Sequence, residues 1–167
     1  MSRRVWLSLG SNQGDRWTFL LRAVTTLRQH PDITEVRCSQ VFQTAPVGGP
    51  SQGDYLNCVV ELVTDIAASE LLALAQLLES AAGRERGEQW GPRTLDVDIV
   101  AIEGEIHQSV DLVVPHSRAH ERAFVVIPLA ELADPAQVLG RATTVPPTQL
   151  GTVHLVATTD YPRGWPA

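Results

Sequence analysis

Two carboxylates spaced two residues apart give this chain its clearest capacity for chemistry. In Trp90-Gly91-Pro92-Arg93-Thr94-Leu95-Asp96-Val97-Asp98-Ile99-Val100, the apolar Leu95, Val97 and Ile99 alternate with Asp96 and Asp98. Alternation with β-branched residues predicts a strand with one buried face, entered through the Gly91-Pro92 turn pair. Side chains two apart on a strand leave the same face, about 6.6–6.8 Å apart along it. Both carboxylates therefore point one way, with Arg93 just upstream. Like charges so held repel unless solvent or a cation offsets them. Oxygen ligands on a rigid element suit Mg²⁺, which takes one or two carboxylates and completes its octahedron with water and phosphate. A solvated edge strand could carry the same pair; Trp90 and Arg93 beside it favour a site.

The other candidate groups fit an anionic or aromatic ligand. All 13 basic residues other than histidine are arginine. The lack of lysine excludes a P-loop lysine, a Schiff base and a Ser-Lys pair, so phosphate would fall to arginine, backbone N–H groups or metal. Arg84 and Arg86 sit on the charged, glycine-bracketed stretch from Gly83 to Gln89, which reads as a lid carrying arginines over an anion. Tyr55 and Asn57 share a strand face, where an aromatic and an amide could flank a flat polar ring, although an ordinary edge-strand tyrosine looks the same. A net charge of −6 argues against gripping nucleic acid by bulk charge. Cys38 and Cys58 lack a CxxC spacing and read as reduced core residues of a cytoplasmic protein. No signal-peptide pattern and no run of about 18 apolar residues is present, so no membrane association is expected.

The 167 positions make one domain, 1–167, with a core over 3–135 and an irregular extension over 136–167. A strand is expected at 5–9. A helix follows from Asp15, with Trp17, Leu20, Leu21, Val24 and Leu27 on one face, and His30-Pro31-Asp32 ends it. One strand over 33–44 precedes a Gly/Pro-rich loop over 45–54, long enough to be a functional lid. A strand over 55–63 leads to a helix capped by Asp65 or Ser69 and stopped by Gly83, with Leu71, Leu74, Ala75 and Leu78 on its apolar stripe and Gln76 and Glu79 on a polar side. After the aspartate strand comes a turn at 103–105, a short strand near Ile106 and a helix entered at Pro128. The order β-α-β-β-α-β defines an α+β class: a ferredoxin-like antiparallel sheet with helices packed on it, extended by a C-terminal segment.

Four ordered segments now carry a family resemblance. They are Leu9-Gly10-Ser11-Asn12 with Gly14-Asp15-Arg16; Thr44-x-Pro46-x-Gly48 with Tyr55-Leu56-Asn57; Gly83-Arg84-x-Arg86 with Trp90-Gly91-Pro92-Arg93-Thr94-Leu95-Asp96-Val97-Asp98; and Pro115-His116 with Arg122-x-Phe124-Val125 and Pro128-Leu129. Over residues 5–135 the chain resembles the 6-hydroxymethyl-7,8-dihydropterin pyrophosphokinases of folate biosynthesis. The resemblance implies transfer of pyrophosphate from MgATP to the pterin hydroxymethyl group, with release of AMP. It implies two Mg²⁺ ions on Asp96 and Asp98, with Arg84 and Arg93 acting on the transferred group beside them. Nucleotide contacts would come from Gln76, Glu79, Arg84, Arg86, Trp90, Arg93, Ile99, His116 and Arg122. The pterin would stack between Tyr55 and Phe124, with its amide edge met by Asn57, Thr44 and the backbone around Pro46 and Val47. ATP and the pterin would be the small-molecule partners of a cytoplasmic monomer that binds neither nucleic acid nor membrane.

The chain departs from the family pattern where Ser117 follows His116, where many members have proline, and at Asp111, where some relatives have a basic residue. Three competing readings stand beside the enzyme: a degenerate nucleotide- or pterin-binding module, an RNA binder on the same topology, and a metal-dependent phosphohydrolase. Retention of Asp96, Asp98, Arg84 and Arg93 argues against the first. The acidic balance and the lack of an aromatic RNA-binding run argue against the second.

Overall fold

The structure, a computed structural model, describes residues 1–83 and 91–166. Its frame is an antiparallel sheet whose central strands are β1 (Arg3–Ser11) and β4 (Tyr55–Thr64), paired from Arg3↔Thr64 to Ser11↔Leu56. Strand β5 (Asp96–Ile102) borders β1, and β2 (Ile33–Cys38) and β3 (Phe42–Thr44) share the other edge of β4. Counting β2 and β3 as one interrupted strand, this is the ferredoxin-like order.

Residues 33–44 form two strands, where the alternation predicts one. Cys38 pairs with Val60 and Phe42 with Asn57, so three residues on one side face two on the other. Ser39 bridges the mismatch: its N–H donates to the Val59 carbonyl (2.9 Å) and its Oγ accepts from the Val59 N–H (2.9 Å). A bulge of this kind bends the strand while leaving no buried amide unpaired.

Helices α1 (Arg16–Gln29) and α2 (Ala68–Ala81) cover one face of the sheet. The Asp15 carboxylate caps α1 by accepting from the Thr18 N–H (3.1 Å). Neither Asp65 nor Ser69 caps α2. Ala67 holds that position, and Glu70 reaches back to accept from its N–H (3.2 Å), half of a capping box. Val5, Leu7 and Leu9 of β1 meet Leu20, Val24 and Leu27 of α1 and Leu71, Leu74 and Leu78 of α2 in this core, together with Val97 and Ile99.

The opposite face is divided. Trp6, Val59, Val100 and Ala101 pack under α3 (Ala123–Ala130) and α4 (Pro135–Leu139); the rest of that face is open. Helix α3 begins five residues before Pro128, which lies inside it instead of opening it. The missing N–H there forfeits only the bond to the Phe124 carbonyl in a short helix.

Residues beyond 139 are more ordered than their weak periodicity predicts. Helix α5 (Pro147–Leu150) and strand β8 (Val153–Leu155) follow, and β8 extends the sheet by pairing with β3 from Phe42↔Leu155 to Thr44↔Val153. Tyr161 Oη accepts from the Val41 N–H (2.7 Å), and the Tyr161 and Trp165 rings lie 5.1 and 5.6 Å from that of Trp17. A hairpin of β6 (His107–Gln108) and β7 (Val113–Val114) stands apart from the main sheet. Among the described residues no helix is long and apolar enough to cross a membrane.

Candidate active site

The open half of the sheet floors a cleft of about 290 Å³. Its floor is a row of residues in register. Gly10 of β1 lies between Asp96 of β5 and Asn57 of β4, and Ser8 lies beside Asp98. The small residues on β1 keep the centre of the floor low, with carboxylates on one side and the amide on the other. Alternation places Val97 and Ile99 in the helix-side core, which turns Asp96 and Asp98 to the cleft.

A break in the β1–β5 ladder ends this phase. Trp6 pairs with Ala101 but Leu7 with Ile99, so Val100 is extra. The Val100 carbonyl instead accepts from the His116 N–H (2.8 Å). That bond fastens the segment from His116 to Phe124 above the carboxylates, so one bulge serves both to end the aspartate face and to anchor the wall beside it. His116, Arg118, Arg122 and Phe124 all line the cleft.

The carboxylate end is electrostatically loaded. Arg93 Nη1 donates to Asp96 Oδ1 (2.6 Å). Asp98 has no such ion pair among those found for the described residues, and burial, then Asp96 and Glu79, push its carboxyl up to about 7 against the pull of Arg122 and Arg93. Burial, then Arg122, holds the His116 imidazole below its ordinary value. Burial also lowers Arg122, with Asp98 opposing. A buried carboxylate so raised is short of positive charge. No three of His, Cys, Asp and Glu cluster as a metal site among the described residues. Mg²⁺ needs only one or two protein carboxylates when phosphate and water complete its shell, so the pair fits that ion.

The other end carries an amide and aromatic side chains, groups that can flank a flat polar ring. Asn57 Nδ2 donates to Thr44 Oγ1 (2.6 Å), and both residues are buried. Tyr55, paired with Thr44 across β3 and β4, lines the same end with Pro46 and Val47. Gly48 and Gly49 carry φ of 76° and 80°, a region that glycine enters without strain, and they turn the loop back over the cleft. Phe124 of α3 also lines the cleft, and the Arg122 guanidinium lies 5.6 Å from its ring centre.

Asn12 joins the two ends. Its Oδ1 accepts from the Arg93 N–H (2.8 Å), its N–H donates to the Arg93 carbonyl (3.1 Å), and its Nδ2 donates to Gln52 Oε1 (2.8 Å) and the Gly53 carbonyl (3.0 Å). Asn12 thus sets the backbone of Arg93 against the 52–53 loop.

Of the expected site residues, Arg93, Asp96, Asp98, His116, Arg122, Thr44, Pro46, Val47, Tyr55, Asn57 and Phe124 line one cleft. Three nucleotide candidates do not. Gln76 is exposed on α2, and the Ile99 side chain is buried on the helix side of the sheet. Glu79 accepts from the Val97 N–H (2.9 Å) and acts on Asp98 through charge. Arg84, Arg86 and Trp90 fall outside the described residues. Ser8, Gly10, Gln52 and Arg118 line the cleft without having been singled out for it. Ser8 and Gly10 could have been found by carrying the aspartate alternation across to the neighbouring strand; Arg118 carried no such signal.

A family model described as 7,8-dihydro-6-hydroxymethylpterin-pyrophosphokinase (HPPK) matches residues 6–134. The chain is 42% identical over 151 residues to the 2-amino-4-hydroxy-6-hydroxymethyldihydropteridine pyrophosphokinase of Bacillus subtilis, covering 90% of this chain and 89% of that one. It is 41% identical over 140 residues to the protein of the same name from Methylorubrum extorquens, covering 84% and 88%. A solved structure titled as HPPK-DHPS in complex with substrates superimposes with a TM-score of 0.60 at 11% identity, covering 86% of this chain and 42% of that longer one. That likeness speaks for the fold.

Proposed function

Since the chain belongs to the 7,8-dihydro-6-hydroxymethylpterin-pyrophosphokinase family, we propose that its cleft transfers pyrophosphate from ATP to the hydroxymethyl oxygen of 6-hydroxymethyl-7,8-dihydropterin, in folate biosynthesis, and releases AMP. One observation carries this reading: a single cleft holds paired carboxylates and arginines at one end and an aromatic–amide pair at the other, separated only by Ser8 and Gly10.

The chemistry is a displacement at the β-phosphorus. The pterin oxygen forms the new P–O bond, the bond to the α-phosphate oxygen breaks, and AMP leaves with its electrons while the hydroxyl proton is lost. Little covalent work falls to the protein, so positioning and charge stabilisation dominate. Asp96 and Asp98 would hold two Mg²⁺ ions, which neutralise phosphate charge and favour ionisation of the hydroxyl. Arg93 and Arg122 offer forked donors to phosphate oxygens, and Arg84 and Arg86, outside the described residues, would add the same chemistry. His116, whose imidazole is held below its ordinary value by burial and then Arg122, can donate a ring N–H to phosphate. Tyr55 and Phe124 take the two faces of the pterin. Asn57, fixed through Thr44, meets its amide edge, because one amide group can both donate and accept.

The free thiols of Cys38 and Cys58 support a reducing, cytoplasmic setting. The deciding experiment mixes the protein with ATP, Mg²⁺ and the hydroxymethyl dihydropterin and separates the nucleotides. AMP is expected in step with the pterin pyrophosphate; ADP or free phosphate in its place would overturn the reading. Tyr55→Ala is expected to weaken pterin binding about tenfold or more through lost stacking, which is worth roughly 1–3 kcal/mol, with binding of a non-hydrolysable ATP analogue unchanged. Titration calorimetry with each ligand separately checks this, and an unaltered pterin affinity would remove Tyr55 from the site.

A further inference from the structure

Helix α3 starts at a residue that cannot cap it. Arg122 occupies the N-cap position and has no acceptor to offer, and its guanidinium is turned to the cleft. The first helical N–H, that of Ala123, therefore needs an acceptor from elsewhere. It donates to the side-chain Oε1 of Gln149 (3.1 Å), 26 residues further along the chain. Ala123 is buried, and its neighbours on either side, Arg122 and Phe124, both line the cleft.

The same turn grips the opposite wall. Thr152 donates twice to the Gln149 carbonyl, from its N–H (3.0 Å) and its Oγ1 (2.8 Å), which closes residues 149–152 into a compact turn. The Thr152 carbonyl then accepts from the Ala45 N–H (3.3 Å), next to Thr44, and β8 leaves the turn to pair with β3. One end of this turn thus holds the wall that carries Phe124, and the other end holds the wall that carries Thr44, Pro46 and Val47.

We propose that residues 149–152 are a brace that sets the width of the pterin slot, with Gln149 as a positioning residue that acts through the start of α3 on Phe124. This rests on the pterin reading of the Tyr55/Phe124 gap. Stacking and edge recognition both demand a fixed spacing, and a side chain that touches no substrate can control it. ATP, held mainly at the carboxylate end, should feel the change less.

Steady-state kinetics with both substrates tests the brace. Gln149→Ala is expected to raise the pterin KM about tenfold, the equivalent of one hydrogen bond, with kcat and the ATP KM within about twofold of wild type. Gln149→Glu keeps an oxygen acceptor at the helix start, where negative charge is favoured, and is expected to restore the pterin KM. Thermal melts of both variants accompany the kinetics. A wild-type pterin KM in Gln149→Ala, beside normal wild-type turnover, would overturn the brace alone. So would parallel losses in both KM values and kcat that Gln149→Glu does not repair, since those mark general loosening. Failure of the wild type to release AMP would overturn the underlying pterin reading.

Discussion

Asp98→Asn is expected to lower turnover on the order of a thousandfold or more, to leave pterin affinity near wild type, and to make the metal-free protein more stable. The first two effects separate because Asp98 sits beside Ser8 at the carboxylate end, while Asn57 and Tyr55 lie on the far side of β1. The third follows from the carboxyl's position. It is pushed up to about 7 by burial, Asp96 and Glu79, above the ordinary value of about 3.9 for an unfolded aspartate. The folded state thus binds this proton more tightly than the unfolded state does. Ionising Asp98 costs stability that is absent below about pH 4 and fully felt above about pH 7. His116 works in the opposite direction: its lowered value means the unfolded state takes up that proton first on acidification. The informative quantity is therefore the difference between Asp98→Asn and wild type in chelator, which should grow by about 2–3 kcal/mol from pH 5 to pH 8. Chemical melts across that range measure it. Near-normal turnover of Asp98→Asn in Mg²⁺ would remove this carboxylate from the metal site, and a pH-independent stability difference would show that its charge is already offset in the free protein.

The same pair shows what sequence could and could not give. Leu95, Asp96, Val97, Asp98 and Ile99 alternate without interruption, so strand, face and direction were all legible. The register that sets Gly10 between Asp96 and Asn57 was not, because pairing across strands leaves no local mark on any one of them. Both helices under the sheet followed from their apolar stripes, yet the cap of α2 did not, since Ala67 has no capping side chain and the acceptor comes from Glu70. The interruption at Ser39 was hidden because apolar periodicity on either side of it, at Val36, Cys38 and Phe42, survives a bulge of one residue. The order beyond residue 139 was missed for a related reason. Strand β8 has three residues, and the segments before and after it are tied to Ala123 and Val41 by Gln149 and Tyr161, through single long-range hydrogen bonds that no window of sequence contains.

Gly10→Ala tests that hidden register with the smallest possible change. A Cβ built on Gly10 would stand 2.5 Å from Asn57 Oδ1 and 3.3 Å from Tyr55 Cδ1, the first far inside van der Waals contact. Asn57 cannot rotate away cheaply, because its Nδ2 is committed to Thr44 Oγ1 at 2.6 Å in a buried setting. The added methyl must either break that bond or push the amide and the tyrosine ring out of place. Overpacking of this kind costs about 1–3 kcal/mol, and here it falls on the two residues assigned to the pterin. Pterin affinity is therefore expected to drop about tenfold to a hundredfold. Gly10 lies in a regular ladder between β4 and β5 and needs no left-handed backbone, so alanine can take its conformation and the fold should persist. The three nearest atoms to the added Cβ all belong to Asn57 and Tyr55 and none to Asp96, so ATP-analogue binding should change little. Paired calorimetric titrations on Gly10→Ala read both ligands in one preparation. Equal losses for pterin and nucleotide would mean the strain spreads along β1 to the carboxylates, and an unchanged pterin affinity would mean that the amide and ring at this register do not form the pterin contact.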